Sequence, residues 1–341
     1  MEMTQQFRLA SRPEGRVRAD HWELREEPVG EPDEGNLLVR VLWLSLDPAM
    51  RVWLNADTTY MKPVPVGGVM HAGGIGQVVA SRHPGFRAGD YVNGPLGVQT
   101  MCLSNGRGLR VVKKTGVPLT HHLGVLGGTG LTAYFGLLKV GAMRAGDTVV
   151  ISGAAGAVGS VAGQMARLAG CRVIGIAGGA AKCASLVDDL GFHHAIDYKN
   201  QDTEKELARL LPDGLDVYFD NVGGDILNAA LKNMARGARV VICGAVSRYN
   251  SGAAPTGPAA YTFLLERSAR MEGYLVSDYS AEFPKAIRHM SEWIADGRLQ
   301  SRETIVRDFS AFPRHLEELF AGRNYGKMIL QVAPDGDPSL H

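Results

Sequence analysis

A glycine-rich segment near the middle of the chain carries the clearest chemical signal. Residues 152–160 read Ser-Gly-Ala-Ala-Gly-Ala-Val-Gly-Ser. In a loop of this kind Gly156 permits a tight turn, and Gly159 lets the following helix pack closely on the preceding strand. The free N–H groups at the start of such a helix attract an anion, for example a pyrophosphate. The segment predicts dinucleotide binding, and a glycine-rich packing turn is the alternative.

The flanking sequence supplies the elements that this loop needs. Apolar runs of strand length follow one another along the chain, at 148–152, 172–177, 215–220 and 238–243. Continuous apolar runs indicate strands buried on both faces, as in a parallel sheet covered by helices. Between the first two runs, apolar residues recur at helical spacing, at Val158, Val161, Ala162, Met165 and Leu168. The pattern predicts a strand, a helix and a second strand in the order that a dinucleotide site requires.

The residues after the second run indicate which nicotinamide cofactor is bound. Sites that prefer NAD usually carry an Asp or Glu about 20 residues after the glycine loop, bonded to the adenosine 2′-hydroxyl. Here residues 176–182 read Ile-Ala-Gly-Gly-Ala-Ala-Lys and contain no acid. A missing carboxylate removes repulsion toward a 2′-phosphate, and Lys182 can supply a positive charge for it. NADPH is the predicted cofactor, the alternative for Lys182 being a lysine that is merely solvated.

The region before residue 125 has a different pattern. Short strand-like runs alternate with turn residues, for example 37–46 after the Asp-Glu-Gly-Asn of 33–36. This region predicts an all-β domain. The stretch 304–332 is strand-like at both ends, and we interpret it as a return of the chain to that first domain.

The composition narrows the class of protein. A chain of 341 residues with 45% hydrophobic residues suits two packed domains, and 36 Lys and Arg against 35 Asp and Glu leave no basic field for nucleic acid. No apolar run approaches the roughly 20 residues that cross a bilayer, and the first residues do not resemble a secretory signal. The four cysteines are scattered and are expected to be free thiols. We therefore expect a cytoplasmic protein without nucleic-acid or membrane partners.

Further segments resemble a known family. They are Tyr218-Phe219-Asp220-Asn221-Val222-Gly223-Gly224, Cys243-Gly244-Ala245-Val246-Ser247-Arg248-Tyr249-Asn250, Leu44-Ser45-Leu46-Asp47-Pro48, Leu131-Thr132-Ala133-Tyr134 and Asn324-Tyr325-Gly326-Lys327. Together with the glycine loop they look like the medium-chain dehydrogenase/reductase superfamily. The resemblance is strongest to its prostaglandin reductase and alkenal double-bond reductase branch, and within it to the bacterial NADPH-dependent curcumin reductases. It covers almost the whole chain.

The resemblance implies an α/β fold in two domains. A Rossmann doubly wound parallel sheet of residues 126–295 would be inserted in a GroES-like β domain of residues 1–125 and 296–341. Family members are commonly dimers, so we expect a homodimer. Zinc-dependent relatives carry Gly-His-Glu together with Cys ligands, whereas here Ala72 follows His71. Because His71 alone cannot build a site that needs three protein ligands, we expect no metal.

The resemblance also implies which residues bind the cofactor. It assigns Gly156, Ala157, Val158 and Gly159 to the pyrophosphate, and Lys182 and Tyr198 to the 2′-phosphate. The remaining cofactor contacts that it assigns are Asn221, Cys243, Gly244, Ala245, Val246, Ser247, Arg248, Tyr249, Tyr274, Leu275, Val276 and Asn324. The residues themselves support two of these, because Asn221 and Cys243 each lie at the carboxyl end of a buried run, where open α/β sheets bind ligands.

The expected reaction follows from the lack of a metal. Without a Lewis acid, charge that develops on a substrate oxygen must be met by hydrogen-bond donors. Hydride addition to the β-carbon of a small α,β-unsaturated ketone or aldehyde suits such a site, since it leaves an enolate that hydroxyl groups can hold. Tyr249 is the expected catalytic donor, alone or with the cofactor ribose hydroxyl. The alternative is that Tyr249 only packs against the cofactor.

One departure from the family pattern bears on the substrate. The family usually reads Asp-Pro-Tyr-Met-Arg where this chain has Ala49 in third place. If that position lines the pocket, Ala49 enlarges it or changes its polarity, and we hypothesise that Trp53 and Tyr60 fill the space. A quinone reductase of the same zinc-free type and a non-catalytic NADPH-binding sensor are the competing functions.

Overall fold

The computed structural model describes residues 2–57, 60–113, 116–251 and 256–334. The chain forms two compact units. Met1–Leu123 and Thr304–His341 make up the first unit, and Gly124–Glu303 makes up the second. Each unit has its own hydrophobic core.

The first unit begins with antiparallel strands. In chain order the elements are β1 (Glu2–Leu9), β2 (Trp22–Val29), β3 (Leu37–Leu46), α1 (Ala49–Val52), β4 (Gly73–Ser81), β5 (Tyr91–Pro95), β6 (Met101–Ser104) and β7 (Arg110–Val112). β1 and β2 form a separate antiparallel pair. β3 is buried along nearly its whole length because it pairs with both β4 and β6.

The second unit alternates strands and helices, as the sequence predicts. Its strands are β8 (Thr148–Ser152), β9 (Arg172–Ala177), β10 (His194–Asp197), β11 (Leu215–Asp220), β12 (Met234–Ile242) and β13 (Arg270–Gly273). Its helices are α2 (Gly128–Phe135), α3 (Ala157–Leu168), α4 (Ala180–Asp188), α5 (Thr203–Leu210), α6 (Gly224–Lys232), α7 (Val246–Tyr249), α8 (Phe263–Glu266) and α9 (Phe283–Ala295). Shorter helical turns lie at Gly136–Val140 and Val276–Glu282 in this unit, and at Ala19–His21, Leu119–His122 and Phe309–Ala311 in the first unit.

The strands of the second unit form one parallel sheet in the order β10-β9-β8-β11-β12-β13. The direction in which new strands are added reverses between β8 and β11. Open α/β sheets bind their ligands in the crevice at such a point, outside the carboxyl ends of the strands. The fold is therefore a doubly wound Rossmann sheet in an α/β protein.

The predicted strand limits hold with one difference. β8, β9 and β11 coincide with the predicted runs, whereas β12 begins at Met234 rather than at residue 238. The apolar pattern hides this start because Arg236 and Gly237 are exposed, and the register of β12 against β11 shifts there. Of the predicted helical stripe, Val161, Ala162 and Met165 are buried, and Leu168 is 36% exposed at the last residue of α3.

The C-terminal segment returns to the first unit, as the sequence predicts. Its elements are β14 (Glu303–Val306), α10 (Phe312–Phe320) and β15 (Lys327–Gln331). β15 pairs with β3, which completes the sheet order β14-β15-β3-β4-β5-β7. Residues 296–303 belong to the second unit instead, where Gln164 exchanges two hydrogen bonds with the backbone of Gln300.

A buried lysine joins two of the segments that carry the family resemblance. The Nζ of Lys327 donates to the carbonyl of Leu46 at 2.8 Å and to Asp47 Oδ1 at 2.6 Å. Ser45 Oγ donates to the other oxygen of Asp47. Because Lys327 is only 2% exposed, its charge needs this carboxylate, and removal of Asp47 would leave a buried unpaired cation.

Within the described ranges of the chain, no helix is long and apolar enough to cross a bilayer.

Candidate cofactor site

The glycine loop after β8 makes the tight turn that its sequence predicts. The N–H of Gly156 donates to the carbonyl of Gly153 at 2.9 Å, and Gly153 has φ +59°, which a residue with a side chain rarely adopts. Gly156 is the N-cap of α3. Strand, turn and helix therefore follow one another without an intervening residue.

Gly159 is required by the close approach of α3 to the end of β8. A Cβ atom at Gly159 would lie 2.4 Å from the carbonyl oxygen of Gly153 and 2.7 Å from Cα of Ala154. No side chain caps the start of α3, and its first turn contains no acid. The backbone N–H groups at this helix end can bind an anion, so the loop fits the pyrophosphate of a dinucleotide.

Two lysines and a tyrosine meet after β9. Lys182 lies in the first turn of α4 and is half-buried. Burial lowers its pKa, and the charge of Lys199 lowers that pKa further, so the two ammonium groups lie near each other. A Cβ atom at Gly178 would lie 2.9 Å from both Tyr198 Cε1 and Lys199 Cε. Because an anion relieves the repulsion between two cations, this corner fits a 2′-phosphate.

Sequence reasoning missed Asp197 and Lys199 at this corner. Asp197 is the last residue of β10 and is 6% exposed. Its Oδ1 accepts the N–H of Gly179 at 2.7 Å and the N–H of Lys199 at 3.1 Å, and its Oδ2 accepts Asn200 Nδ2 at 2.7 Å. The bonds from Asn200 and then Gly179 lower the pKa of Asp197. The carboxylate thus fixes the two loops that present Lys182, Tyr198 and Lys199.

A second buried aspartate, Asp220, orders the ends of β8 and β11. It is the last residue of β11 and is 1% exposed. Its Oδ1 accepts hydrogen bonds from Ser152 Oγ at 2.8 Å and Tyr218 Oη at 3.0 Å. The same oxygen accepts the N–H groups of Val222 and Gly223, each at 3.0 Å. The loop after β11 is therefore shaped around this carboxylate.

Asn221 lies between the two strand ends, as the sequence predicts. Its N–H donates to Ser152 Oγ at 2.9 Å and its Nδ2 donates to the carbonyl of Ser152 at 2.7 Å. Both bonds run from the loop after β11 to the glycine loop after β8. Asn221 is thereby held at the reversal point of the sheet, where cofactors bind.

The loop after β12 joins the same network. The N–H groups of Cys243 and Gly244 donate to the carbonyl of Asp220 at 2.9 and 3.1 Å. The N–H of Val246 donates to the carbonyl of Asn221 at 3.2 Å, and α7 begins there. The structure therefore brings the predicted segment 243–249 beside Asn221.

The phenol of Tyr249 folds back over its own loop. Its Oη accepts the N–H of Ala245 at 3.3 Å, and a Cβ atom at Gly244 would lie 3.2 Å from that oxygen. A phenol oxygen carries a hydrogen as well as lone pairs, so a tyrosine hydroxyl is a group that can both accept and donate hydrogen bonds. Tyr249 is half-buried at the carboxyl end of β12, so its hydroxyl can reach a ligand there.

Tyr274 follows β13 and contacts residues at this end of the sheet. Its Oη donates to the carbonyl of Thr132 at 2.7 Å and lies beside the thiol of Cys243. Burial raises the pKa of Cys243 to about 12, although the bond with Tyr274 acts in the opposite direction. Leu275 and Val276 follow in the same loop, Leu275 being 45% exposed. The Tyr274 hydroxyl thus contacts both Thr132 and Cys243.

Family comparisons match both halves of the sequence. Residues 5–112 match the N-terminal domain of oxidoreductase, and residues 157–292 match the zinc-binding dehydrogenase family. The NADPH-dependent curcumin reductase of Escherichia coli strain K12 is 38% identical over 332 residues, which is 96% of this chain and 96% of that protein. Prostaglandin reductase 1 of Mus musculus is 37% identical over 337 residues, 93% of this chain and 100% of that protein. The chain belongs to the medium-chain dehydrogenase/reductase superfamily.

The solved structures place this superfamily member in the same branch. CurA from Vibrio vulnificus in complex with NADPH is 38% identical and has a TM-score of 0.93 against this structure. The match covers 97% of this chain and 100% of that chain. The branch of curcumin reductases and prostaglandin reductases was predicted from the sequence and is confirmed.

The sequence predicts no metal, whereas the description of one matched family names zinc. The matched family is described as zinc-binding. His71 is half-buried, and burial lowers the pKa of its imidazole. Across residues that the structure describes, no three His, Cys, Asp or Glu side chains are grouped so that they could hold a metal ion. Zinc independence stays a prediction.

Some predicted residues of this superfamily member lie in the first unit. Asn324 is 7% exposed, and its Nδ2 donates to the carbonyl of Gly326 at 2.7 Å. Ala49 begins α1, and one turn later Trp53 Nε1 donates to Tyr60 Oη at 3.1 Å. The cofactor role of Asn324 and the pocket role of Trp53 and Tyr60 stay predictions, as do the homodimer and the cytoplasmic location.

Proposed function

We propose that this chain is an NADPH-dependent reductase of the carbon–carbon double bond of small α,β-unsaturated ketones and aldehydes. The observation that carries the proposal is the placement of Tyr249. Its phenol lies at the carboxyl end of β12, in the loop that hydrogen-bonds to the backbone of Asn221. Similarity to an NADPH-dependent curcumin reductase and to prostaglandin reductase 1 supports the same class of reaction.

The residues fit NADPH along the carboxyl edge of the sheet. Gly156, Ala157, Val158 and Gly159 offer the start of α3 to the pyrophosphate. Lys182, Tyr198 and Lys199 would bind the 2′-phosphate at the other corner. Asn221 and the 243–249 segment would hold the nicotinamide half. When bound, NADPH supplies the hydride.

Tyr249 would act on the oxygen of the substrate. Arrival of hydride at the β-carbon moves an electron pair through the double bond onto the carbonyl oxygen, which makes an enolate. The Tyr249 Oη–H then donates to an oxygen that has become strongly basic, so this bond strengthens as the reaction proceeds. Protonation of the α-carbon completes the reduction. The negative charge that develops on the enolate oxygen requires a hydrogen-bond donor, and a phenol at neutral pH is one.

The test is a product analysis. Purified protein is mixed with NADPH and a simple enone, the fall in NADPH absorbance is followed, and the product is identified by mass spectrometry and NMR. We expect the saturated ketone. The allylic alcohol would show reduction of the carbonyl instead and would refute the proposal. The same assay with a quinone in place of the enone tests the quinone reductase alternative, and no oxidation of NADPH by either would leave only the sensor.

A further inference from the structure

The two carboxylate oxygens of Asp220 differ in how many hydrogen bonds they accept. Four donors converge on Oδ1, namely Ser152, Tyr218, Val222 and Gly223. Its other oxygen, Oδ2, is buried and has no hydrogen-bond partner among the residues that the structure describes. Buried carboxylate oxygens are normally hydrogen-bonded, so an exception at the reversal point of the sheet needs a reason.

The hydrogen bonds to Oδ1 of Asp220 all run in the direction that a carboxylate oxygen accepts. The two backbone N–H groups can only donate. Ser152 Oγ accepts the N–H of Asn221, so its own hydrogen is available for Asp220. Hydrogen bonds donated to a carboxylate stabilise its charged form, and Oδ1 of Asp220 accepts four of them.

No cation neutralises this charge within the described part of the chain, where Asp220 forms no ion pair. The charge reaches its neighbours. Tyr218 has a pKa well above its usual range, first because of burial and then because of Asp220. The pKa of Cys243 is raised by burial, and the charge of Asp220 adds to that rise. Since Cys243 lies after β12, the field of Asp220 extends across two loops of the cofactor site.

Asp220 also joins the loops that surround the carboxyl ends of β8, β11 and β12. Its side chain accepts hydrogen bonds from Ser152, the last residue of the first of these strands, and from Gly223 after the second. Its carbonyl binds Cys243 after the third. A fixed negative charge in such a rigid frame favours a ligand whose ring carries positive charge.

We propose that Asp220 is a positioning residue whose buried charge stabilises the oxidised nicotinamide, a cation, over the neutral reduced form. The inference rests on the proposed function, because it requires a nicotinamide cofactor at this edge of the sheet. Loss of hydride makes the ring positive, so a negative charge that is already in place favours hydride donation. The effect in a protein interior is on the order of 10-fold in relative affinity.

The decisive variant is Asp220→Asn. It keeps an oxygen for the four donors and places an amide where Oδ2 is unpartnered, so it removes the charge with little change of shape. Dissociation constants for NADP⁺ and NADPH are measured separately by titration. We expect the affinity for NADP⁺ to fall about 10-fold relative to that for NADPH. Equal weakening of both forms, or weakening of NADPH alone, would overturn the proposal.

The matched control is Asp197→Asn. Asp197 is also a buried strand-end aspartate with backbone donors, but it lies at the 2′-phosphate corner. Its loss should leave the ratio of NADP⁺ to NADPH affinity unchanged. Binding of 2′,5′-ADP, which has no nicotinamide, should be the same in Asp220→Asn as in the native protein. A change of the ratio in Asp197→Asn equal to that in Asp220→Asn would also overturn the proposal.

A second variant covers the case in which Asp220→Asn does not fold. Tyr218→Phe removes one donor, so the remaining charge is less neutralised, and the affinity ratio should move about 2-fold toward NADP⁺. An unchanged ratio or a move toward NADPH would contradict the proposal. Failure of the native protein to bind NADPH at all would instead refute the proposed function.

Discussion

The two ends of the cofactor edge are built around two buried aspartates with opposite surroundings. Asp197 ends β10, and both of its oxygens are bonded within the loops that also carry Lys182 and Lys199. Asp220 ends β11, forms no ion pair within the described ranges, and has one oxygen without a partner there. The first end therefore presents positive charge and the second presents negative charge.

The difference teaches how one sheet edge can bind a ligand with two kinds of group. A 2′-phosphate is anionic and needs the lysines, whereas an oxidised nicotinamide is cationic and suits the uncompensated carboxylate. In both places the aspartate orders glycine N–H groups, namely Gly179 at one end and Gly223 at the other. The presence or absence of nearby cations, and not the aspartate itself, sets the charge that the ligand meets.

The largest expected difference between the two ends is in the rate at which their cysteines are alkylated. Cys183 lies near Asp197, and burial followed by that charge raises its pKa. Cys243 lies near Asp220 and has a pKa of about 12. At about pH 8 only about one Cys243 in 10⁴ is a thiolate, so alkylation should be about 10³-fold slower than for an unperturbed cysteine. The rate should rise tenfold per pH unit until the pKa is reached.

The measurement is alkylation by iodoacetamide with peptide mapping by mass spectrometry. Cys183 should react before Cys243, and Asp220→Asn should speed the reaction of Cys243 because it removes a charge that raises the pKa. Modification of Cys243 as fast as a cysteine in a short peptide would contradict the raised pKa of this thiol.

The next effect concerns Tyr249 at the negative end. Tyr249→Phe should lower kcat on the order of 10²-fold, since the lost donor acts mainly on the enolate, and less if the ribose hydroxyl substitutes. Steady-state kinetics with one enone at saturating NADPH measure it, and a direct NADPH titration shows whether the cofactor still binds. Tyr261→Phe, at a 61% exposed tyrosine of the same unit, is the matched control. A raised KM with unchanged kcat would reduce Tyr249 to a residue that positions ligands.

The parts of this site that are local in sequence could be predicted, and the parts that depend on strand pairing could not. The glycine loop was found because it directly follows an apolar run, and Lys182 because no acid stands in the segment after the next run. Asn221 was assigned by the family resemblance and also lies directly after an apolar run. Asp220 stands in a segment that was recognised, yet its role depends on Ser152, which pairing of β11 with β8 brings close. Its type was a usable signal, because an acid that ends an apolar run must be bonded or neutralised.

The same reasoning applies to the fold. β8, β9 and β11 are continuous apolar runs and were predicted to the residue. β10 has only four residues, and β13 is an exposed edge strand that begins at Arg270, so neither shows an apolar run. Lys199 was missed because it lies in the turn after β10, whereas its neighbour Lys182 lies in α4, and only the pairing of β10 with β9 brings the two together.

At the positive end, Lys182→Ala should weaken NADPH binding by about 1 to 3 kcal/mol and leave NADH nearly unchanged. Lys199→Ala should act in the same direction, because the two cations share the phosphate. Lys205→Ala, whose side chain is 84% exposed and pairs with Asp202, serves as the control. Titrations with both cofactors measure the effect. Equal losses of affinity for NADPH and NADH would show that these lysines do not bind the 2′-phosphate.

The last prediction is that a chelator has no effect on cofactor binding or activity. The zinc-binding description of the matched family makes the question sharp, because a dication near the end of β12 would cancel the field of Asp220. The residues favour no such ion, because Ala72 follows His71 where zinc-dependent relatives have Glu. Prolonged dialysis against a chelator should leave the NADP⁺ affinity and the enone turnover unchanged, with no stoichiometric zinc by mass spectrometry. Activity that is lost on dialysis and restored by zinc alone would mean that a metal polarises the oxygen of the substrate. It would contradict the conclusion that the end of the site at Asp220 carries negative charge.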